Sequence, residues 1–261
     1  MYLPESIRKH LSDREYTLDD IGCSDAKVLL YPNAVLKIQP DCDVSANEYF
    51  MMRWLQGKLP VPEILAAELV DGKRYLLMRR VQGKYLCDES ILDDQHRLAE
   101  LVAEGLRTLW SVDVADCPTI RTLDEKFKEI ETGLQTGLIT MEQARQSETY
   151  GAGGFESPSQ LFDWLVKYRP EEELVLSHGD YCMPNLFTDG TRLTGYIDLG
   201  CAGVADKWVD IEMGLWSMWA NTTGQFGGRK RKFDRKLLFD ALEMQPDDDR
   251  LRYYSLLSEL C

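Results

Sequence analysis

His178-Gly-Asp180-Tyr-Cys-Met-Pro-Asn185, followed downstream by Ile197-Asp198-Leu-Gly200, is the stretch that decides how this chain folds. Polar residues this dense, set between apolar runs, are badly placed for a core and well placed for a loop that carries chemistry. Asp180 offers a carboxylate able to orient a hydroxyl and accept its proton. Asn185 and Asp198 offer oxygen donors, the hard ligands that Mg²⁺ prefers. Leu186-Phe187 and Leu193 to Ile197, joined near Asp189-Gly190, read as a short hairpin that returns Asp198 to the side of Asn185. One amide carbonyl, one carboxylate and a neighbouring base suit phosphoryl transfer, where catalysis is mostly positioning and charge neutralisation.

Phosphate handling also needs a fixed cation, and the first third of the chain supplies a candidate. Lys37 sits mid-strand in Val-Leu-Lys-Ile, where an amine is costly unless a carboxylate pairs with it. Glu48, on the helix expected from Asp43 to Leu55, is the partner in reach, with Asp43 or Ser45 as N-cap and Gly57 as the stop. Strands are expected at Thr17 to Ile21, Ala26 to Tyr31, Ala34 to Gln39, Ile64 to Val70 and Tyr75 to Met78, with hairpins at Pro32-Asn33 and Asp71-Gly72. In the Ile21-Gly22-Cys23-Ser24-Asp25 turn, backbone N–H groups and the Ser24 hydroxyl are placed to lie over phosphates.

After Arg79-Arg80-Val81-Gln82-Gly83 the pattern turns helical. Leu98, Leu101, Val102, Leu106, Leu109 and Trp110 fall at helical spacing within Asp93 to Val112. Asp124 to Leu134, Met141 to Glu148 and Ser159 to Val166 read the same way. A strand at Leu174 to Leu176 leads into the catalytic stretch, and helices from about Asp206, Phe233 and Asp247 finish the chain. The expected fold is α+β and bilobal. Residues 1–82 form a nucleotide-binding lobe with an antiparallel sheet and one helix, residues 83–261 form a mostly helical catalytic and acceptor lobe, and the hinge falls at about 79–84.

Composition narrows the partners. The 261 residues carry 30 Lys plus Arg against 44 Asp plus Glu, a net charge of −14. Such a surface repels nucleic acid and anionic lipid and attracts cations, so a small cationic acceptor is expected, with no nucleic acid and no membrane. Met1 to Leu11 lacks the apolar core of a signal peptide, and no run approaches a membrane span, which points to the cytoplasm. The seven cysteines are scattered with no C-x-x-C pair, the pattern of reduced thiols. The basic run Arg229 to Lys232 reads as a solvated loop paired with acids such as Asp234 and Asp240, and Trp216 as a core residue. His178 is expected to hold the loop by hydrogen bonding, and Tyr181, Cys182 and Met183 carry no role.

Together these residues resemble the kinase fold, and specifically the aminoglycoside phosphotransferase family in its 3′-phosphotransferase branch. His-Gly-Asp-x-x-x-x-Asn with Ile-Asp-x-Gly looks like that family's catalytic loop and metal-binding motif. Lys58-Leu-Pro-Val-Pro-Glu63, Ala205-Asp-Lys-Trp208 and Tyr253 to Leu260 extend the resemblance over essentially the whole chain. It implies Asp180 as catalytic base, Asn185 and Asp198 as Mg²⁺ ligands, and Lys37, paired with Glu48, on the α- and β-phosphates of ATP or GTP. It also implies Ser24 in the nucleotide loop, backbone contacts to the base from Met78 to Val81, including Arg80, and acceptor contacts from Glu259 and the Cys261 carboxylate. The chain departs from the pattern at Ser258, Asn221, Tyr150 to Gly154, Cys201 and Val204. Those departures keep open a kinase of the same chemistry with a different hydroxyl acceptor. A nucleotide-binding pseudoenzyme would require a lost catalytic residue, and none is lost. A protein kinase would show an activation segment and A-P-E anchor after Asp198, and neither is present.

Overall fold

The computed structural model describes residues 3–11, 15–18, 26–140, 149–150 and 153–260. The expected helix from Met141 to Glu148, the turn holding Ser24, and Cys261 lie outside the described residues.

The first part of the chain builds a five-stranded antiparallel sheet. Its strands are β1 (Thr17–Leu18), β2 (Lys27–Leu30), β3 (Ala34–Pro40), β4 (Ile64–Val70) and β5 (Lys73–Arg79), in spatial order β1-β2-β3-β5-β4. The β4–β5 turn has positive φ at both Asp71 (51°) and Gly72 (69°), the conformation that a two-residue hairpin demands. Strand pleat sorts the side chains into two cores. Leu36, Ile38, Tyr75 and Leu77 point to one face, where they pack with Leu29, Tyr31 and the fully buried Ile7 of the opening helix Glu5–Arg8. Lys37, which stands opposite Leu76 in the β3–β5 register, points to the other face. Leu76 and Met78 there join the larger core, together with Met51, Met52 and Leu55 of the helix Asp43–Leu55. Cys42, rather than Asp43 or Ser45, is that helix's N-cap residue, and Ser45 Oγ accepts the Cys42 N–H at 3.0 Å.

The second part is mostly helical. Helix Gln95–Trp110 is capped by Asp94 and buries Leu98, Leu101, Val102, Leu106 and Leu109, the face that the sequence marks. Helices Leu123–Thr136, Pro158–Lys167, Lys207–Thr222, Lys236–Leu242 and Asp248–Ser258 surround it. The penultimate helix starts at Lys236, later than the Phe233 expected, because the segment before it runs irregularly. Two short strands escape sequence reading. Lys84–Tyr85 adds an edge to the hairpin Leu186–Thr188/Leu193–Tyr196, and Gly203–Asp206 pairs antiparallel with Leu174–Ser177. No helix among the described residues is long and apolar enough to cross a membrane.

Three expectations need correction. Tyr181 and Met183 carry structural roles: both are buried, and Tyr181 Oη donates to the Val102 carbonyl at 2.9 Å. Trp216 is 44% exposed and meets Phe226 edge-on instead of entering the core. The basic run is only partly solvated. Lys236 does pair with Asp240, but Arg231 is held by Glu89 and Asp93. Its side chain is 9% exposed.

Helix Gln95–Trp110 approaches the catalytic loop at Gly105, where a methyl group would overlap the Tyr181 hydroxyl and Leu193 Cδ1. Tyr181 is fully buried and has no room to yield. Alanine would gain about 1 kcal/mol of helix propensity but overpack a fixed ring at about 1–3 kcal/mol and strain the Val102 bond. Gly105→Ala is therefore expected to lower the urea midpoint; an unchanged or higher midpoint would show that the ring can move.

Candidate active site

Lys37 is 8% exposed and Glu48 2%. The Lys37 ammonium lies 3.0 Å from Glu48 Oε1 and 2.8 Å from Asp198 Oδ1. Burial disfavours its charge, but the two carboxylates outweigh that cost and hold it above the ordinary lysine range. Glu48 is pushed up by burial against the pull of Lys37, and Gln39 Nε2 donates to its second oxygen at 2.8 Å. Sheet, helix and catalytic-lobe loop thus converge on one amine.

Asn47, next to Glu48 on the same helix, fixes that convergence. Its Nδ2 donates to the Gly200 and Ala202 carbonyls, both at 2.9 Å, and its Oδ1 accepts the Thr119 hydroxyl at 2.6 Å. Asp198 itself adopts a left-handed conformation (φ 58°), which turns its carboxylate into the cleft. The Ile197 N–H donates to the Asn185 carbonyl at 3.0 Å, so the hairpin does bring Asp198 beside Asn185.

The catalytic loop hangs on Asp210, a residue that sequence reading missed. Asp210 is fully buried. Its Oδ2 accepts the His178 N–H at 2.8 Å and its Oδ1 the Gly179 N–H at 3.0 Å. Burial raises the Asp210 carboxyl, while His178 and the two N–H groups favour its ionised form. The signal was an aspartate amid Trp208, Val209 and Ile211, where a charge is tolerated only if something needs it. His178 Nε2 bonds the Ile197 carbonyl at 3.0 Å, the loop-holding role expected of it. Asn185 Nδ2 donates at 3.0 Å to both Asp180 O and Asp180 Oδ2. That leaves the Asn185 amide oxygen and the 42%-exposed Asp198 side chain as hard donors toward the cleft. Among the described residues no cluster of three His, Cys, Asp or Glu side chains forms a metal cage. Two protein oxygens completed by phosphate and water are what Mg²⁺ ordinarily takes.

Asp180 also borders a cavity of about 440 Å³, lined in addition by Glu129, Cys201, Glu212, Tyr254 and Ser258. Other expected site residues are not among those that line this cavity. Met78 is buried within β5, and the Arg80 N–H is taken by the Asn33 carbonyl at 3.1 Å. Glu259 is exposed near the end of the terminal helix and accepts from Thr149 at 3.1 Å. Asn221 turns back on its own helix to the Ser217 carbonyl. Ser24 and Cys261 lie outside the described residues.

A twisted antiparallel sheet with a lysine–glutamate pair, facing a helical body with a His-Gly-Asp loop, defines the kinase-like phosphotransferases as a class. The model of the phosphotransferase enzyme family matches residues 20–254. An aminoglycoside 3′-phosphotransferase of Enterococcus faecalis is 39% identical over 216 residues, 82% of this chain and 78% of that protein. Another, from Niallia circulans, is 35% identical over 266 residues, 98% of this chain and 96% of its own. Among solved structures, an aminoglycoside phosphotransferase of Streptomyces rimosus matches with a TM-score of 0.73 at 20% identity, covering 98% and 96% of the two chains. The chain belongs to the aminoglycoside phosphotransferase family, and it is a phosphotransferase.

Removing the Asp210 carboxylate leaves the buried His178 N–H without its acceptor and the Gly179 N–H with the Ser177 hydroxyl alone. Asp210→Ala is expected to cost about 2–5 kcal/mol and to depress turnover with it, while Asp210→Asn, which keeps one acceptor, costs less. Denaturant melts of the two variants check this; equal stability of Asp210→Ala and the parent would show that the loop is held elsewhere.

Proposed function

We propose that this chain transfers the γ-phosphate of ATP or GTP to a hydroxyl of an aminoglycoside, acting in the cytoplasm. In this reading residues 1–82 hold the nucleotide, residues 83–261 supply the catalytic loop and acceptor cavity, and the hinge lies at about 79–84. The carrying observation is the convergence of Lys37, Glu48 and Asp198 on one side of the cleft, with Asp180 facing a partly acidic cavity on the other.

Lys37 neutralises the α- and β-phosphates, and Glu48 keeps its ammonium aimed at them. Asn185 and Asp198 would hold Mg²⁺, which, when bound, supplies charge neutralisation on the phosphates. Asp180, oriented by Asn185, accepts the proton of the acceptor hydroxyl. Met78 and Arg80 belong to the linker assigned to the base. Because the Arg80 N–H is already bonded to Asn33, neighbouring backbone groups carry that contact. Ser24, Glu259 and Cys261 enter through the family resemblance. A second reading, a different hydroxyl acceptor, is favoured by Ser258 and Cys201 in the cavity wall and by the presence there of Arg121 and Lys126.

Purified protein with Mg²⁺ and ATP or GTP is expected to consume nucleotide when kanamycin or neomycin is added. Asp180→Ala should lower that rate about 10²–10⁴-fold with nucleotide affinity close to the parent. No turnover across an aminoglycoside panel would refute the acceptor, and equal rates in parent and Asp180→Ala would refute the mechanism. Thermal shift with other hydroxyl compounds separates the second reading.

A further inference from the structure

One helix serves both the catalytic loop and the cavity. Along Lys207–Thr222, Asp210 bonds the His178 and Gly179 N–H groups, Gly214 lies against the Tyr181 ring, and Ser217 Oγ accepts the Met183 N–H at 2.9 Å. Those three positions share one face. The adjoining face, Val209, Glu212 and Met213, lines the cavity that Asp180 borders. Glu212 is therefore carried by the same rigid element that fixes the catalytic loop, so its carboxylate and that of Asp180 keep a set spacing across one pocket.

The other charges of this pocket are already matched. Glu129 takes Arg121 at 3.0 Å and Lys126 at 3.8 Å. Glu172 takes Arg169 at 2.6 Å and the Leu123 N–H at 2.8 Å. Asp206 accepts from the Tyr254 hydroxyl at 2.5 Å and from Arg250 at 3.4 Å. Tyr254 and Cys201 are held neutral, chiefly by burial. Among the described residues Glu212 has the Ser255 hydroxyl as its hydrogen-bond partner, and no ion pair there includes it. A half-buried carboxylate with no cation partner among the described residues, lining the same cavity as the group proposed to receive the hydroxyl proton, matches an amine carried by the acceptor.

We propose that Glu212 is a specificity-determining residue that anchors an ammonium group of the acceptor and so sets which hydroxyl reaches Asp180. The inference rests on the aminoglycoside reading above. Burial pushes the Glu212 carboxyl up to about 7, with the Ser255 bond pulling the other way. The free group is thus largely protonated near pH 6 and ionised near pH 8. A cation binds the ionised form, so the contribution of Glu212 to affinity appears as pH rises through about 7 and disappears below it.

Calorimetric titration of kanamycin into the full chain, its Glu212→Gln variant and its Glu212→Asp variant, at about pH 6 and about pH 8, tests this. The amines of kanamycin titrate too, so the informative quantity is the ratio of Kd values at each pH, in which that effect cancels. The Glu212→Gln to parent ratio is expected to be about tenfold at the higher pH and within about twofold of unity at the lower one. Glu212→Asp should recover part of the loss, and thermal melts establish that both variants fold. A ratio near one at both values, or one that does not change with pH, overturns the assignment while leaving the aminoglycoside reading intact. Failure of the parent to bind kanamycin at either pH overturns both.

Discussion

One ammonium ties the molecule together. Lys37 comes from the middle of a strand, Glu48 from the helix that follows it, and Asp198 from a loop 161 residues farther along the chain, and the three meet within 3.0 Å. Burying an amine and a carboxylate is expensive unless each is fully bonded. Here that cost is offset only if sheet, helix and catalytic-lobe loop are all in place at once. The pleat of β3 puts Lys37 on the cleft face, the helix supplies Glu48 from its second turn, and Asn47 clamps the loop by its backbone. A shift of any one element leaves a buried charge unpaired. The interaction thus acts as a check on the assembly of the whole cleft, in addition to the phosphate-binding role proposed for Lys37.

A second constraint mirrors it on the catalytic side. Asp210 buries a carboxylate to hold two consecutive N–H groups, those of His178 and Gly179, and through them the backbone that presents Asp180. Gly179 has φ +75° and lies so close to the Cys201 backbone that no side chain fits. The loop is therefore shaped by backbone contacts, while the Asp180 carboxylate bonds side chains of its own loop, those of Asn185 and Cys182. That division suits the proton-accepting role proposed for Asp180. A group that must change its protonation during turnover is badly chosen as a structural anchor, and Asp210, wholly enclosed, takes the anchoring role instead.

These constraints explain which parts of the structure were legible in sequence. The strands around Lys37, the Asp71-Gly72 hairpin and the helix Gln95–Trp110 each follow from local pattern, because pleat, turn chemistry and helical period act over a few residues. Asp180, Asn185 and Asp198 were legible because chemistry concentrates unusual residue types in one stretch. The strands Lys84–Tyr85 and Gly203–Asp206 were not, since each forms only where it meets a partner distant in sequence. Asn47 and Asp210 escaped for a related reason. They chiefly bond backbone groups, which carry no signature in the amino-acid sequence, and only the apolar neighbours of Asp210 hint at its burial. Trp216 misled because helical spacing marks a face and does not say whether anything covers it.

Charge shows the same gap between a count and an arrangement. The net charge of −14 creates a field that draws cations toward the protein over roughly a Debye length, about 8 Å at physiological salt. That field makes no choice among cations. Within the cavity the excess largely disappears, because Arg121, Lys126, Arg169 and Arg250 neutralise the acids around it. Discrimination has to come from carboxylates that the protein itself leaves without a cation, at fixed positions relative to Asp180. By that criterion the replacement of an acid by Ser258, or the inward turn of Asn221, says less about the acceptor than one carboxylate on a rigid helix with no cation partner among the described residues does. Two relatives could share the same net charge and the same catalytic loop and still orient different hydroxyls, if the unmatched carboxylate stood one helical turn away.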